Sequence, residues 1–202
     1  MFTGLIAECG KVSEISRGES SAVFTIDAPV LVKEISLGDS VSVNGVCLTV
    51  ISISAKGFCG DVMAQTLSLT SLSQLQIGSP VNLELAAQLN SRMGGHLVQG
   101  HVDGVGVIKH LIPGDNWFQF DVEIPGHLSK YVVNQGSICL DGVSLTVGSI
   151  DDATNTVSVW LIPETLQRTN LSLKTAGEMV NVEVDVLAKY VERLMSKSGL
   201  HE

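Results

Sequence analysis

The strongest constraint on this chain is that it repeats itself. Asn44-Gly45-Val46-Cys47-Leu48-Thr49-Val50 returns 97 positions on as Asp141-Gly142-Val143-Ser144-Leu145-Thr146-Val147. Gly78-x-x-Val81-Asn82-Leu83-Glu84 returns 99 positions on as Gly177-x-x-Val180-Asn181-Val182-Glu183, and Thr66-Leu67 returns at the same offset as Thr165-Leu166. Gly4 and Gly10 match Gly100 and Gly106 at an offset of 96. A period this long is the length of a domain, not of a solenoid unit. The 202 residues therefore divide into two homologous domains in tandem joined near His96, with expected limits 1–96 and 97–186 and a tail over 187–202.

Each half reads as β. Ala22, Phe24 and Ile26 alternate with polar neighbours, as do Val46, Leu48 and Val50 and, further on, Val81, Leu83 and Leu85. The second half matches with Val143, Leu145, Val147 and with Val180, Val182, Val184. Period two over short runs is the mark of half-buried strands. The 20 glycines punctuate these runs, and Asn-Gly and Asp-Gly pairs supply hairpin turns. Several short strands in so few residues imply an all-β unit, a small closed barrel or a sandwich. Neither half contains a long helical pattern. After Asp185, a candidate N-cap, apolar residues fall at Leu187, Tyr190, Val191, Leu194 and Met195, one face of a helix. That face has two possible partners, its own barrel or copies of itself in an oligomer.

Lys plus Arg total 12 against 21 Asp plus Glu, a net charge of −9, and no basic run interrupts the negative field. Such a field repels a phosphate backbone, so nucleic acid is excluded as a partner. No apolar run has the length needed to span a bilayer, and Met1–Gly10 lacks the basic start of an export signal, so a cytoplasmic protein is expected. Cys9, Cys47, Cys59 and Cys139 form no C-x-x-C pair and, with five scattered histidines, offer no metal-ligand spacing.

The strand pleat selects candidate site residues. If Val46, Leu48 and Val50 face the core, Cys47 and Thr49 point the other way, and Ser144 and Thr146 take the same places in the second half. Asn82 and Glu84 lie opposite their apolar stripe, as do Asn181, Glu183 and Asp185. These polar faces are either the wet outside of small barrels or shallow, half-buried ligand grooves, and the choice of Cys and Thr suits a groove. Gly94-Gly95-His96 and Gly100-His101-Val102-Asp103-Gly104 add histidines on glycine-rich backbone. His96 and His101 are five apart, so a regular strand places them on opposite faces. Ser144 with His101 and an Asp does not make a hydrolase site, because Gly-Val-Ser-Leu-Thr is not the strained G-x-S-x-G elbow.

Taken together, these segments resemble riboflavin synthase. The resemblance rests on Met1-Phe2-Thr3-Gly4-Leu5-Ile6, Val43 to Val50, Gly94-Gly95-His96-x-x-x-Gly100-His101-Val102-Asp103-Gly104, Asp141 to Val147, Leu161-Ile162-Pro163-Glu164-Thr165-Leu166, and Val182-Glu183-Val184-Asp185 with Lys189-Tyr190-Val191-Glu192-Arg193. It spans essentially the whole chain. It implies two tandem six-stranded Greek-key barrels, a C-terminal α-helix and a homotrimer built around those helices. It also implies a reaction between two molecules of 6,7-dimethyl-8-ribityllumazine, with no cofactor and no metal. A four-carbon unit passes from one to the other, giving riboflavin and 5-amino-6-ribitylaminouracil.

By the same resemblance Thr49, Met63 and Thr66 line one pocket and Thr146, Ile162 and Thr165 the other. Cys47, His101, Ser144 and Asp185 are the candidate chemical groups, Phe2 and His96 shape the site, and Ser40, Asn82 and Asp141 are further site candidates. Some family members associate with a lumazine synthase shell. The sequence departs from the family at Gln135, where lysine is common, and over Gln65-Thr66-Leu67-Ser68-Leu69-Thr70-Ser71, which lacks the acid and the base of the family's segment. Two rival readings stand beside the enzyme. One is a non-catalytic lumazine or flavin antenna protein, though such proteins tend to lose the Gly-Gly-His and Gly-His elements present here. The other is a scaffold that binds no lumazine.

Overall fold

The computed structural model describes residues 1–197. The first half contains β1 (Glu8–Arg17), β2 (Ser21–Asp27), β3 (Ser40–Val43), β4 (Val46–Ile53), β5 (Gly57–Met63), α1 (Ala64–Leu69) and β6 (Pro80–Leu85). The second contains β7 (Gly104–Pro113), β8 (Phe118–Glu123), β9 (Ser137–Leu140), β10 (Val143–Asp151), β11 (Thr156–Leu161), α2 (Pro163–Arg168) and β12 (Met179–Val184), followed by α3 (Val186–Lys197). Each set of six strands closes into an antiparallel barrel, in the order β1-β2-β5-β4-β3-β6 and, equivalently, β7-β8-β11-β10-β9-β12. Of the two architectures the alternation allowed, the barrel is the one formed. Closure removes the sheet edges that a six-stranded sandwich would expose.

The expected strand faces are observed. Val46, Leu48, Val50 and Val143, Leu145, Val147 are buried in the two barrel cores. Even the irregularities repeat, with a bulge between Val12 and Glu14 matched between Ile108 and His110, and one between Val50 and Ser52 matched between Val147 and Ser149. Asn44-Gly45 and Asp141-Gly142 are two-residue hairpin turns with φ of 46°, 79° and 45°, 82°. Positive φ at both central residues is what this loop length demands, and Asn, Asp and Gly tolerate it. Gln135 also has positive φ, 64°, where the first repeat has Gly38 at 86°; it is a turn residue whose N–H bonds the Val147 carbonyl at 2.8 Å.

The faces of β6 and β12 turned away from the cores are neither wet nor open grooves. Asn82 and Asn181 are buried where the two barrels meet, and Glu84 and Glu183 are buried beneath the lead-in segments at Thr3–Gly4 and Gln99–His101. The contact is pseudo-symmetric. Asn82 Nδ2 donates to the Asp141 carbonyl at 2.9 Å, and Asn181 Nδ2 donates to the Asn44 carbonyl at 2.8 Å. Asn82 Oδ1 accepts the Asn170 N–H and Asn181 Oδ1 the Ser71 N–H, both at 2.7 Å. The two hairpin tips touch: a Cβ added to either Gly45 or Gly142 would lie 2.8 Å from the other's backbone nitrogen. One asymmetry is electrostatic. The buried Asp141 carboxylate lies 3.0 Å from Lys174 Nζ, and burial still pushes its pKa up.

The lead-in segments cross over. Phe2 and Val98 pair as an antiparallel bridge near the pseudo-twofold. Beyond it, Ile6 packs into the core of the second barrel and Val102 against the core of the first. The Gly4 carbonyl accepts the Ser144 N–H at 2.8 Å, and the Gly100 carbonyl accepts the Cys47 N–H at 3.0 Å. Each repeat thus seals the other's barrel.

Helix α3 docks on the second barrel by its polar side, through Lys189 to Asp103 and Glu192 to Lys130 and Tyr131. Asp185 Oδ1 accepts the Leu187 N–H at 2.9 Å, which makes it the N-cap. The apolar stripe of Leu187, Tyr190, Val191, Leu194 and Met195 faces outward. The end of the expected tail, 198–202, lies outside the described residues. No helix among the described residues is long and apolar enough to cross a membrane.

The junction generates a stability prediction. Asn181→Ala strands the Ser71 N–H and the Asn44 carbonyl in a buried contact, and each stranded group costs about 1–3 kcal/mol. Chemical denaturation is expected to show a loss of about 2–6 kcal/mol by the same accounting. A loss below about 1 kcal/mol would mean that water enters the junction freely.

Candidate active site

Two cavities lie at equivalent places, each between the start of a β4-type strand, a short helix and the crossed lead-in of the other repeat. The first, about 210 Å³, is lined by Val46, Cys47, Gln65, Thr66, Leu69, Thr70, Gly100, His101 and Val102. The second, about 280 Å³, is lined by Val143, Ser144, Glu164, Thr165, Arg168, Thr169, Gly4, Leu5 and Ile6. The two lists correspond residue for residue under the repeat offsets. The matching is mechanical as well, since Thr70 Oγ1 and Thr169 Oγ1 each bond back to the Thr66 and Thr165 carbonyls at 2.7 Å.

Position by position, the shared frame carries different chemistry. The first cavity holds a thiol and an imidazole, Cys47 and His101, with neutral Gln65 and Leu69. The second holds the Ser144 hydroxyl and an i,i+4 ion pair between Glu164 and Arg168 on α2. Ser144 Oγ lies 2.7 Å from His96 Nδ1. The His96 ring is buried, its Nε2 has no hydrogen-bond partner among the described residues, and burial pushes its pKa down, opposed by the charge of Asp185. A buried neutral imidazole touching a hydroxyl is an arrangement that can accept and return a proton. Gly95 makes the approach possible. A Cβ there would sit 2.1 Å from the Thr3 carbonyl oxygen and 2.8 Å from Ser144 Oγ.

The structure pairs Ser144 with His96, whereas His101 belongs to the other mouth, exposed beside the Cys47 cavity. Thr49 and Thr146 are exposed on the strand faces that carry Cys47 and Ser144. Met63 and Ile162, 64 % and 57 % exposed, are the N-caps of the helices α1 and α2 that wall the cavities. Thr66 and Thr165 line the walls directly. Ser40 sits opposite Thr49 at the start of β3. Phe2 is fully buried at the crossing of the lead-ins, against Cys139 and Val98, with Cys47 packed on the same cluster. Asn82 and Asp141 line neither cavity; they belong to the junction.

Leu5, Gln65, Leu69, Glu164 and Arg168 were not singled out as pocket residues by sequence. The signal available was the divergence between the 65–71 and 164–170 segments, which marks where the two mouths differ. Two further cavities carry none of the sequence candidates. One, about 320 Å³, opens at the junction beside Asn170 and Lys174; the other, about 540 Å³, is on the outer wall beside Asp121 and Asp151.

Comparison with known proteins places this geometry. The lumazine binding domain matches twice, over residues 3–86 and 99–185, so the class is a duplicated lumazine-binding barrel protein. Solved structures of LumP are similar: the complex with riboflavin has a TM-score of 0.85 at 26 % identity, and the complex with 6,7-dimethyl-8-(1'-D-ribityl) lumazine 0.82 at 25 %, each over 91 % of this chain and 99 % of that one. The riboflavin synthase of Actinobacillus pleuropneumoniae is 45 % identical over 100 % of this chain and 93 % of its own. That of Bacillus subtilis is 41 % identical over 98 % and 92 %. The chain belongs to the riboflavin synthase family.

The depressed His96 pKa has a definite sign. The unfolded chain binds this proton more readily than the folded one, so the stability contributed is complete above pH 6.5 and lost as pH falls from 6.5 towards the folded value. NMR titration is expected to show the His96 imidazole titrating below pH 6.5, a signal absent in His96→Gln. The denaturation midpoint of that variant should fall less steeply through the same window. A His96 signal titrating above 6.5 would contradict the burial.

Proposed function

We propose that each cavity accepts one molecule of 6,7-dimethyl-8-ribityllumazine, and that the protein transfers a four-carbon unit between them, releasing riboflavin and 5-amino-6-ribitylaminouracil. The observation that carries this reading is the residue-for-residue equivalence of the two mouths. A reaction between two identical molecules needs two similar receptors, and the duplicated barrel supplies them. Full-length likeness to riboflavin synthases at 41–46 % identity supports the enzyme over the non-catalytic binder, for which the LumP likeness is 25–26 %.

The atoms balance without an oxidant, because two equal substrates divide into one larger and one smaller product. The largest contribution of the protein is to hold the two rings face to face, which can be worth roughly 7–11 kcal/mol. Proton handling falls to Ser144 with His96 at the second mouth, where burial keeps the ring neutral and able to take a proton. Asp185, whose charge acts on His96, tunes that pair. Cys47 and His101 occupy the equivalent place at the first mouth and face the other substrate. Thr66 and Thr165, with Thr49, Thr146, Met63 and Ile162 at the rims, orient the two rings.

We further propose that a first mouth of one protomer meets a second mouth of another, in a homotrimer packed through α3. The outward apolar stripe of α3 supports this, since Leu187 is 58 % and Leu194 70 % exposed. Free thiols at all four cysteines suit the cytoplasm.

Purified protein mixed with the lumazine and no added cofactor is expected to form riboflavin, with one product molecule per two substrates consumed; binding without turnover would favour the antenna reading. Ser144→Ala and His96→Ala are each expected to lower kcat by about 10²–10⁴ with little change in ligand affinity. Wild-type turnover in both would remove the pair from the chemistry. Truncation after Asp185 is expected to leave folded barrels that sediment as a smaller assembly, and an unchanged sedimentation coefficient per subunit content would reject the helix as the assembling element.

A further inference from the structure

Two buried carboxylates take no part in the chemistry assigned above, and both hold backbone. Glu183, on β12 and 2 % exposed, accepts three successive amides: Gln99 N–H at 2.6 Å on Oε1, and Gly100 and His101 N–H, each at 3.0 Å, on Oε2. Glu84, on β6 and 6 % exposed, accepts the Thr3 N–H and Thr3 Oγ1–H, both at 2.6 Å, on Oε1, and the Gly4 N–H at 2.9 Å on Oε2. Converging amides of this kind form an anion nest, and Gly4 and Gly100 supply the left-handed φ, 76° and 79°, that brings them together. Here the anion is the protein's own side chain.

What each carboxylate holds matters more than that it is buried. The segment fixed by Glu183 goes on to form the Gly100–Val102 wall of the Cys47 cavity, in the first barrel. The segment fixed by Glu84 goes on to form the Gly4–Ile6 wall of the Ser144 cavity, in the second. We propose that Glu183 and Glu84 are positioning residues, each setting a wall of the substrate cavity in the opposite barrel. This deepens the functional reading above and rests on it for the identity of the ligand.

Only a carboxylate of this length fits. Glutamine would turn an NH₂ against N–H donors, and aspartate would fall short by one methylene. Burial makes the ion costly, pushing the Glu183 pKa up to about 6. Lys189 from α3 lowers it, Asp103 on the lead-in raises it, and the Cys139 thiol faces it from β9. Protonation replaces an acceptor by an O–H among N–H groups, so the wall loosens as pH falls through about 6. The global stability contributed by this group moves the other way. A carboxyl with a raised folded pKa binds its proton more tightly in the folded state, so its contribution falls as pH rises from 4.5 towards 6.

The test compares Glu183→Gln and Glu84→Gln in the full chain by peptide-resolved hydrogen exchange, by titration with the lumazine and with riboflavin, and by kinetics across pH. In Glu183→Gln, exchange is expected to quicken at 99–103 and at the Cys47 amide but not at Leu5 or Ser144. One of the two ligand sites per chain should weaken at least tenfold, and kcat/KM should fall at least tenfold at neutral pH and lose the part of its pH dependence that Glu183 supplies, the part set by His96 remaining. Glu84→Gln should give the mirror image at 3–7 and Ser144. Equal weakening of both sites by either variant, or no weakening, overturns the proposal. Should Glu183→Gln fail to fold, Glu183→Asp keeps the charge and reads the same signals, and their absence there overturns it. A wild-type protein that fails to convert the lumazine, beside variants with the localised exchange and single-site loss of riboflavin, would refute the functional reading and leave the positioning role standing.

Discussion

Everything in this molecule depends on buried polar groups finding partners across a pseudo-twofold junction. A strand with one apolar face can leave its other face to water. β6 and β12 cannot, because the tandem barrels press those faces together. An unpaired polar group there costs more than a paired one contributes. The sequence answers with Asn82 and Asn181, each offering both a donor and an acceptor to the opposite repeat, and with two hairpin tips whose glycines allow backbone to touch backbone. Once the tips are in register, the lead-ins have one route each, and that route forms the wall of the neighbouring barrel's cavity.

Legibility in the sequence followed from how local each signal is. Strands, hairpin turns and the tandem plan were readable, because period-two alternation and the Asn-Gly and Asp-Gly dipeptides act within a few residues. By sequence alone, the polar side of the Asn82 and Asn181 strands fits a groove or a wet surface equally. Nothing within a strand says that another domain will cover it. The short helices α1 and α2 were missed, being six residues each and too brief to show a helical period. His96 and His101 are five apart, a spacing that on a regular strand sets them on opposite faces without saying what either face meets. The crossing of the lead-ins sends one to Ser144 and the other to Cys47, and that crossing has no periodicity to read.

Duplication also explains how one fold offers two cavities that match in shape yet differ in chemistry. The shared elements, the Thr66 and Thr165 hydroxyls, the back-bonded Thr70 and Thr169 and the left-handed glycines, set shape. The differing ones set charge and proton affinity: thiol against hydroxyl, Leu69 against Arg168, Gln65 against Glu164. Because the differing side chains sit on a frame held by backbone and buried asparagines, they can diverge without disturbing the junction.

The reciprocal crossing has a consequence for how the halves are tied together. The connecting loop carries little of the load: Leu89 stands fully in solvent, and the main fastenings are the bridge of Phe2 with Val98, the exchanged Ile6 and Val102, and the paired asparagines. A protease nick in that loop would produce two fragments still interlocked, like links already closed before the wire is cut. Covalent continuity serves synthesis and stoichiometry, guaranteeing one cavity of each kind, while the grip itself is non-covalent.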